Sequence, residues 1–285
     1  MTALSTAHQT PSASTPTNTS TTCLEQATVP VPPNLSAHRD PQPPLQTPPK
    51  KRPKEAFYNI FSQNLQGAKD ELKLECIIHS MRRHHIDIYL IQETWLTGNW
   101  TKDIHGYTLF HHGLETATCS RGTGGVGIIL SPRMKTAWTN AGNPPPIYGG
   151  ILAKTARFIG LQLIIKPPKS PEHRLYVCSA YHPCTGPNMP SSDIDLFYDA
   201  LPGLISAAPP LFEHIIGCDT NAALGIATST PDLDDVLGNF GLPPVNTRGE
   251  TIHNILRMQQ LQVPTTKFKH RWYDSWTSRT CFHLH

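Results

Sequence analysis

The chain has 285 residues, 24 Lys plus Arg against 21 Asp plus Glu, and a formal net charge of +3 with its 15 histidines neutral. That length accommodates one large domain and a tail, and so small a charge permits a polyanionic partner without demanding one. The seven cysteines (Cys23, Cys76, Cys119, Cys178, Cys184, Cys218 and Cys281) are scattered and form no Cys-x-x-Cys pair, which argues against a disulfide partner or a cysteine zinc site and for a reducing compartment.

No apolar run approaches the roughly 20 residues of a membrane span, and MTALSTAHQT has neither the basic nor the apolar region of a signal peptide. The expectation is a soluble, intracellular protein without a membrane partner. Residues 1–54 are rich in Thr, Ser, Pro, Gln and Ala, a composition with too little apolar surface to offset the entropy of ordering, so a disordered tail is expected there. Its end carries a basic cluster, Lys50, Lys51, Arg52 and Lys54, that resembles a monopartite nuclear import signal; a solvated linker is the plainer alternative.

Residues 55–285 read as the folded domain. Expected strands, in chain order, are Tyr58–Asn64, Ile86–Gln92, Gly125–Leu130, Phe158–Ile165, Arg174–Ala180 and His214–Cys218, each short and rich in Ile, Val, Leu, Phe or Tyr. Helical spacing of apolar residues marks Asp70–His84 and Ser192–Ala207, and a third helix is expected over Leu233–Phe240 or Thr251–Gln260. The segment Asn143–Gly150 reads as a plain surface loop. Strands and helices interleaved in this way predict an α/β or α+β layered fold.

Three expected strands end in an amide or a carboxylate: Asn64 after FSQ, Glu93 after IDIYLIQ, and Asp219 with Asn221 after IIGC. Residues at i and i+2 of an extended segment share a face, so Asp219 and Asn221 project together. A hard cation such as Mg²⁺ binds one or two carboxylates and takes further ligands from water and phosphate oxygens, which suits so sparse a set; strand ends that merely start turns are the alternative.

Asn64-Leu65-Gln66-Gly67, Gln92-Glu93-Thr94-Trp95, Gly124-Gly125-Val126-Gly127-Ile128, Tyr181-His182-Pro183 and Gly217-Cys218-Asp219-Thr220-Asn221 occur in this order. Together they resemble the endonuclease/exonuclease/phosphatase superfamily, and within it the apurinic-type endonuclease domain of non-LTR retrotransposons, over roughly residues 56–280. The resemblance implies a four-layered sandwich of two packed β-sheets with outer helices, hydrolysing phosphoesters with Mg²⁺ or Mn²⁺ and acting on nucleic acid, DNA in the first place. It implies that Glu93 binds the metal, with Asn64 beside it orienting the metal-bound water. Asp219 would position or deprotonate the attacking water, Asn221 would hold a nonbridging phosphate oxygen, Tyr181 would touch the scissile phosphate or stabilise the leaving group, and Ser275 would contact phosphate.

Two departures accompany the resemblance. Cys218 stands between Gly217 and Asp219, which leaves the i, i+2 relation intact. After Trp276-Thr277 the family continues into a strand bearing an Asp and a last strand with Ser-Asp-His, whereas this chain reads TSRTCFHLH. The expectation is therefore a C-terminally incomplete domain with its last strands missing, His283 and His285 in a frayed end, and impaired activity, since loss of a general acid or base lowers rates by about 10²–10⁴. A catalytically inactive remnant that binds nucleic acid weakly through Arg248, Lys267, Lys269 and Arg271 is the alternative, with Trp272 and Trp276 stacking on bases. A phosphatase of the same superfamily is a further one. Oligomeric state is not readable from the sequence.

Overall fold

The computed structural model describes residues 58–115, 124–149, 157–168, 171–183, 191–227, 235–240, 244–268 and 279–284, the last of these as backbone. All lie in the unit Lys54–His285. The tail with Lys50, Lys51 and Arg52, the adjoining Lys54, and Lys269, Arg271, Trp272, Ser275 and Trp276 lie outside the described residues.

The first sheet contains β1 (Ile60–Asn64), β2 (Ile88–Gln92), β3 (Asn99–Ile104), β4 (Tyr107–His112) and β5 (Val126–Leu130), in the order β1-β2-β5-β4-β3. The second contains β6 (Ile147–Tyr148), β7 (Phe158–Ile165), β8 (His173–Tyr181), β9 (Glu213–Asp219), β10 (Leu261–Gln262) and β11 (Arg279–Leu284), in the order β10-β11-β9-β8-β7-β6. Two pairings are parallel, β1 with β2 and β8 with β9, and these carry the site. Asn64 lies opposite Gln92, and Tyr181 opposite Asp219, so each parallel pair delivers its polar residues at one end.

Burial decides the layering. Ile88, Leu90, Ile128 and Leu130 of the first sheet meet Leu161, Leu163, Leu175, Val177 and Ile215 of the second, so the sheets pack face to face. The helix α1 (Glu71–Arg83) lays Leu74, Ile77, Ile78 and Met81 on the outer face of the first sheet, against Tyr89, Ile91, Leu109 and Ile129. Its start is fixed by Asp70, whose Oδ1 accepts the Leu72 amide at 2.9 Å. A short helix α2 (Pro132–Asn140) follows the cap Ser131 and sends Met134 and Ala137 into the inter-sheet core. On the outer face of the second sheet, α3 (Ser191–Ile205) and α4 (Thr247–Met258) cover Phe158, Tyr176, Ala180 and Ile216 with Phe197, Leu201, Ile252 and Ile255. The result is the expected four layers, helix, sheet, sheet, helix.

Several expectations are corrected. Residues 279–284, in the stretch expected as a frayed end, supply β11, an inner strand between β10 and β9; His285 lies outside the described residues. Backbone pairing with Ile215–Asp219 places them, a force that tail position does not reveal. Ile147–Tyr148 of the expected loop forms the edge strand β6 beside β7. The third helix begins at Thr247, because the Asn246 side chain caps it by accepting the Gly249 amide at 2.9 Å; residues 235–240 are turns. The hairpin β3–β4 and helix α2 carried no expectation.

Cys76, Cys178 and Cys218 are thiols rather than disulfides. No helix among the described residues is long and apolar enough to cross a membrane.

Candidate active site

The ends of β1, β8 and β9 converge. Asn64, the last residue of β1, donates from Nδ2 to Asp219 Oδ2 at 2.6 Å across the gap between the two sheets. Asp219, the last residue of β9, is 2% exposed, and its Oδ1 accepts the Asn221 amide at 3.2 Å. Asn221 in turn donates from Nδ2 to the His182 carbonyl at 2.8 Å, and the His182 amide donates to the Asp219 carbonyl at 2.9 Å. Tyr181 stands opposite Asp219, with the Arg157 guanidinium 4.8 Å from its ring centroid. Four of the sequence-predicted residues, Asn64, Asp219, Asn221 and Tyr181, are thus joined directly or through one neighbour.

Glu93 follows β2, the strand beside β1. Its carbonyl accepts the Gly67 amide at 2.7 Å, while its carboxylate makes no hydrogen bond or ion pair among the described residues. Both Glu93 (φ 50°) and Asn221 (φ 44°) hold left-handed backbone. For Asn that is tolerable; for Glu it is strain of about 1–3 kcal/mol, of the kind that surroundings must impose. The glycine pair in Gly124-Gly125 explains how. Carbonyls of Gly124 and Gly125 accept the Trp95 and Thr94 amides at 3.1 Å each, and Gly125, at φ 81°, lies so close to the Thr94 hydroxyl that a Cβ there would collide with it.

Behind the site a buried polar network bridges the sheets. Gln92 Nε2 donates to Ser179 Oγ at 2.9 Å and to Ser62 Oγ at 3.2 Å, and Ser179 Oγ donates to the Ile91 carbonyl at 2.8 Å. All three side chains are nearly inaccessible. Neither Ser62 nor Ser179 was singled out from the sequence, since their pairing depends on strand register across two sheets.

His182 is buried, and its imidazole is pushed down to about 3 by that burial and then by the charges of Arg157 and Arg248. Arg248, named in the alternative reading as a contact to nucleic acid, is partly buried and donates from Nη1 to the carbonyls of Pro183 at 3.0 Å and Asn221 at 3.3 Å. Lys267 donates to the Asp235 carbonyl and to Gln262 Oε1.

Among the described residues no three His, Cys, Asp or Glu side chains cluster as a metal site. The donor set fits a hard cation all the same. Glu93 offers a carboxylate that is unpartnered among the described residues, and Asn64 Oδ1, which accepts the Gln66 amide at 2.9 Å, retains a second lone pair; Mg²⁺ needs few protein ligands because it keeps waters and takes phosphate oxygens.

No family model matches the chain, and no curated protein matches it. Among solved structures, the AP endonuclease LMAP of Leishmania major is similar at a TM-score of 0.52 and 14% identity, covering 80% of this chain and 79% of that one. The catalytic domain of Xenopus laevis APE2 is similar at a TM-score of 0.49 and 14% identity, covering 79% of this chain and 82% of that one. Two packed sheets with outer helices, aligned over most of both chains, give this protein the endonuclease/exonuclease/phosphatase-type fold in the form found in AP endonucleases.

Proposed function

We propose that the chain is a Mg²⁺- or Mn²⁺-dependent phosphodiester hydrolase of the endonuclease type, acting on DNA and derived from a retroelement. The observation that carries this reading is the Asn64–Asp219 hydrogen bond, which joins strand ends of the two sheets at the place where Asn221, Tyr181 and Glu93 also emerge. The Leishmania neighbour, named as an AP endonuclease, supports DNA over a small phosphoester as substrate.

The metal, held by Glu93 and Asn64, would neutralise charge developing on the phosphate. The chain's own residues supply the rest. Asp219, 2% exposed at the end of β9 and bonded by Asn64 and Asn221, would orient a water and accept its proton. Asn221 Nδ2 has a second hydrogen beyond the one given to His182, and directs it to a nonbridging phosphate oxygen. Tyr181, backed by the Arg157 guanidinium, faces the scissile phosphate or its leaving oxygen. A catalytically inactive remnant that binds nucleic acid weakly is the competing reading.

The test is nicking of supercoiled plasmid by the full chain with Mg²⁺, with EDTA, and by Glu93→Ala. Metal-dependent nicking that falls about 100-fold or more in Glu93→Ala is expected, because a lost metal ligand removes several kcal/mol of transition-state stabilisation. Absence of nicking by folded protein would favour the inactive remnant.

A further inference from the structure

We infer that Arg248 is a positioning residue that holds Asn221 and the turn after Tyr181 in one arrangement for phosphate; this rests on the nuclease reading of the site.

The strand pairing that aligns Tyr181 with Asp219 ends at those two residues. Beyond it, the two segments bearing the phosphate-facing groups are tied to each other by the His182 amide to the Asp219 carbonyl and by the Asn221 side chain to the His182 carbonyl. Arg248, the second residue of α4, closes this end from outside. Its Nη1 donates to Pro183, two residues past Tyr181, and to Asn221, two residues past Asp219. One planar group thereby fixes the separation of both segments, and holds Asn221 at the left-handed φ that aims its amide.

Docking of α4 does not need this contact. The Asn246 amide donates to the Ala223 carbonyl at 3.2 Å, the His253 ring bonds the Leu224 carbonyl at 2.6 Å, and Gly249 lies against the Ala223 carbonyl too closely for a Cβ. Of these contacts, only the Arg248 side chain reaches across to Pro183. Moreover, Arg248 forms no ion pair among the described residues, and its Nη2 is buried with no hydrogen-bond partner there. A purely structural clamp gains nothing from an uncompensated charge, whereas a phosphate beside Asn221 would compensate it.

The experiment uses the full chain, selectively ¹⁵N-labelled at Asn, and compares wild type with Arg248→Met, Arg248→Lys, Asn221→Ala and the Arg248→Met/Asn221→Ala pair. Two readouts are taken: plasmid nicking kinetics in Mg²⁺, and the shift of the Asn221 side-chain amide on titration with inorganic phosphate. Arg248→Met is expected to lower kcat about 10- to 100-fold with KM little changed, as small misplacements of a positioning group do, and to remove the phosphate response. Arg248→Lys, whose ammonium keeps the charge without the planar fork, should be intermediate. In the Asn221→Ala background Arg248→Met should add little, because it acts through Asn221.

Wild-type kcat with an intact phosphate response in Arg248→Met overturns the inference, as do fully additive losses. Should circular dichroism show Arg248→Met unfolded, Arg248→Lys decides, and wild-type behaviour by that variant is the overturning result. A wild type that does not nick but shows an Arg248-dependent phosphate response defeats the nuclease reading and sustains the positioning role. A wild type whose Asn221 ignores phosphate defeats the positioning role, whether or not it nicks.

Discussion

At the residue scale the site rests on amides and hydroxyls more than on charges. Gln92 sits one residue before Glu93 and is tied through Ser62 to β1 and through Ser179 to β8, so one side chain spans both sheets directly beneath the candidate metal ligand. Replacing Gln92 by Leu would leave two buried serine hydroxyls without this partner. An unsatisfied buried polar group costs about 1–3 kcal/mol, so Gln92→Leu should lower the urea midpoint by an amount in that range at unchanged m-value. An unchanged midpoint would mean that the network contributes nothing net. The sequence made Asn64, Asp219 and Asn221 legible because a polar residue at the end of an apolar strand is a local pattern. Ser62, Ser179 and Arg248 were not legible as site supports, since each acts on a partner at least 27 residues away in sequence, through register or helix docking. Arg248 was read only as a cation for nucleic acid, because its partners at Pro183 and Asn221 are not visible in the sequence.

At the element scale, legibility followed burial. The strand β7 was expected at its observed limits because FIGLQLII is apolar almost throughout, lying between two cores. The edge strand β3, NWTKDI, is mostly exposed and has no hydrophobic signal; only the turn at His105 and Gly106, both at positive φ, marks the hairpin. In β4 the histidine pair ends an apolar run, yet both imidazoles are buried. Close sheet packing has its own demand at β9. A Cβ on Gly217 would lie 2.6 Å from both Leu90 Cδ1 and Ser62 Oγ, so this strand approaches the first sheet where the site network begins. Gly217→Ala should therefore destabilise by about 1–3 kcal/mol through overpacking, read as a lower thermal midpoint. If it instead raised the midpoint, the sheets would be able to separate locally, and the Asn64–Asp219 bond would lose its argued rigidity.

At the scale of the whole molecule, folding sequesters imidazoles as neutral groups. Burial pushes His111 down to about 4, against the opposing pull of its bond to the Gly98 carbonyl; burial alone takes His112 to about 4, and His182 falls to about 3 with Arg157 and Arg248 beside it. The network fixes the His111 tautomer, because the Gly98 carbonyl can only accept, so Nδ1 carries the proton and Nε2 is left to accept from Thr94 at 2.8 Å. In the unfolded chain these rings titrate near 6.5. Below that pH the unfolded state binds protons that the native state refuses, so stability is full above about pH 6.5 and is lost as pH falls toward about 4. Each such proton tilts the balance by about 1.4 kcal/mol per pH unit, and even one of the three removes about 2 kcal/mol between pH 6.5 and 5. For a domain of this size that lowers the thermal midpoint by about 4–8 °C, with a larger drop if all three contribute. Thermal unfolding at pH 7, 6 and 5 measures the slope, and His182→Gln should reduce it by about one proton while keeping the backbone carbonyl that Asn221 uses. A midpoint independent of pH over this range would mean that these rings take up protons in the folded state, and that the end of the sandwich bearing Asp219 and Asn221 is open to solvent.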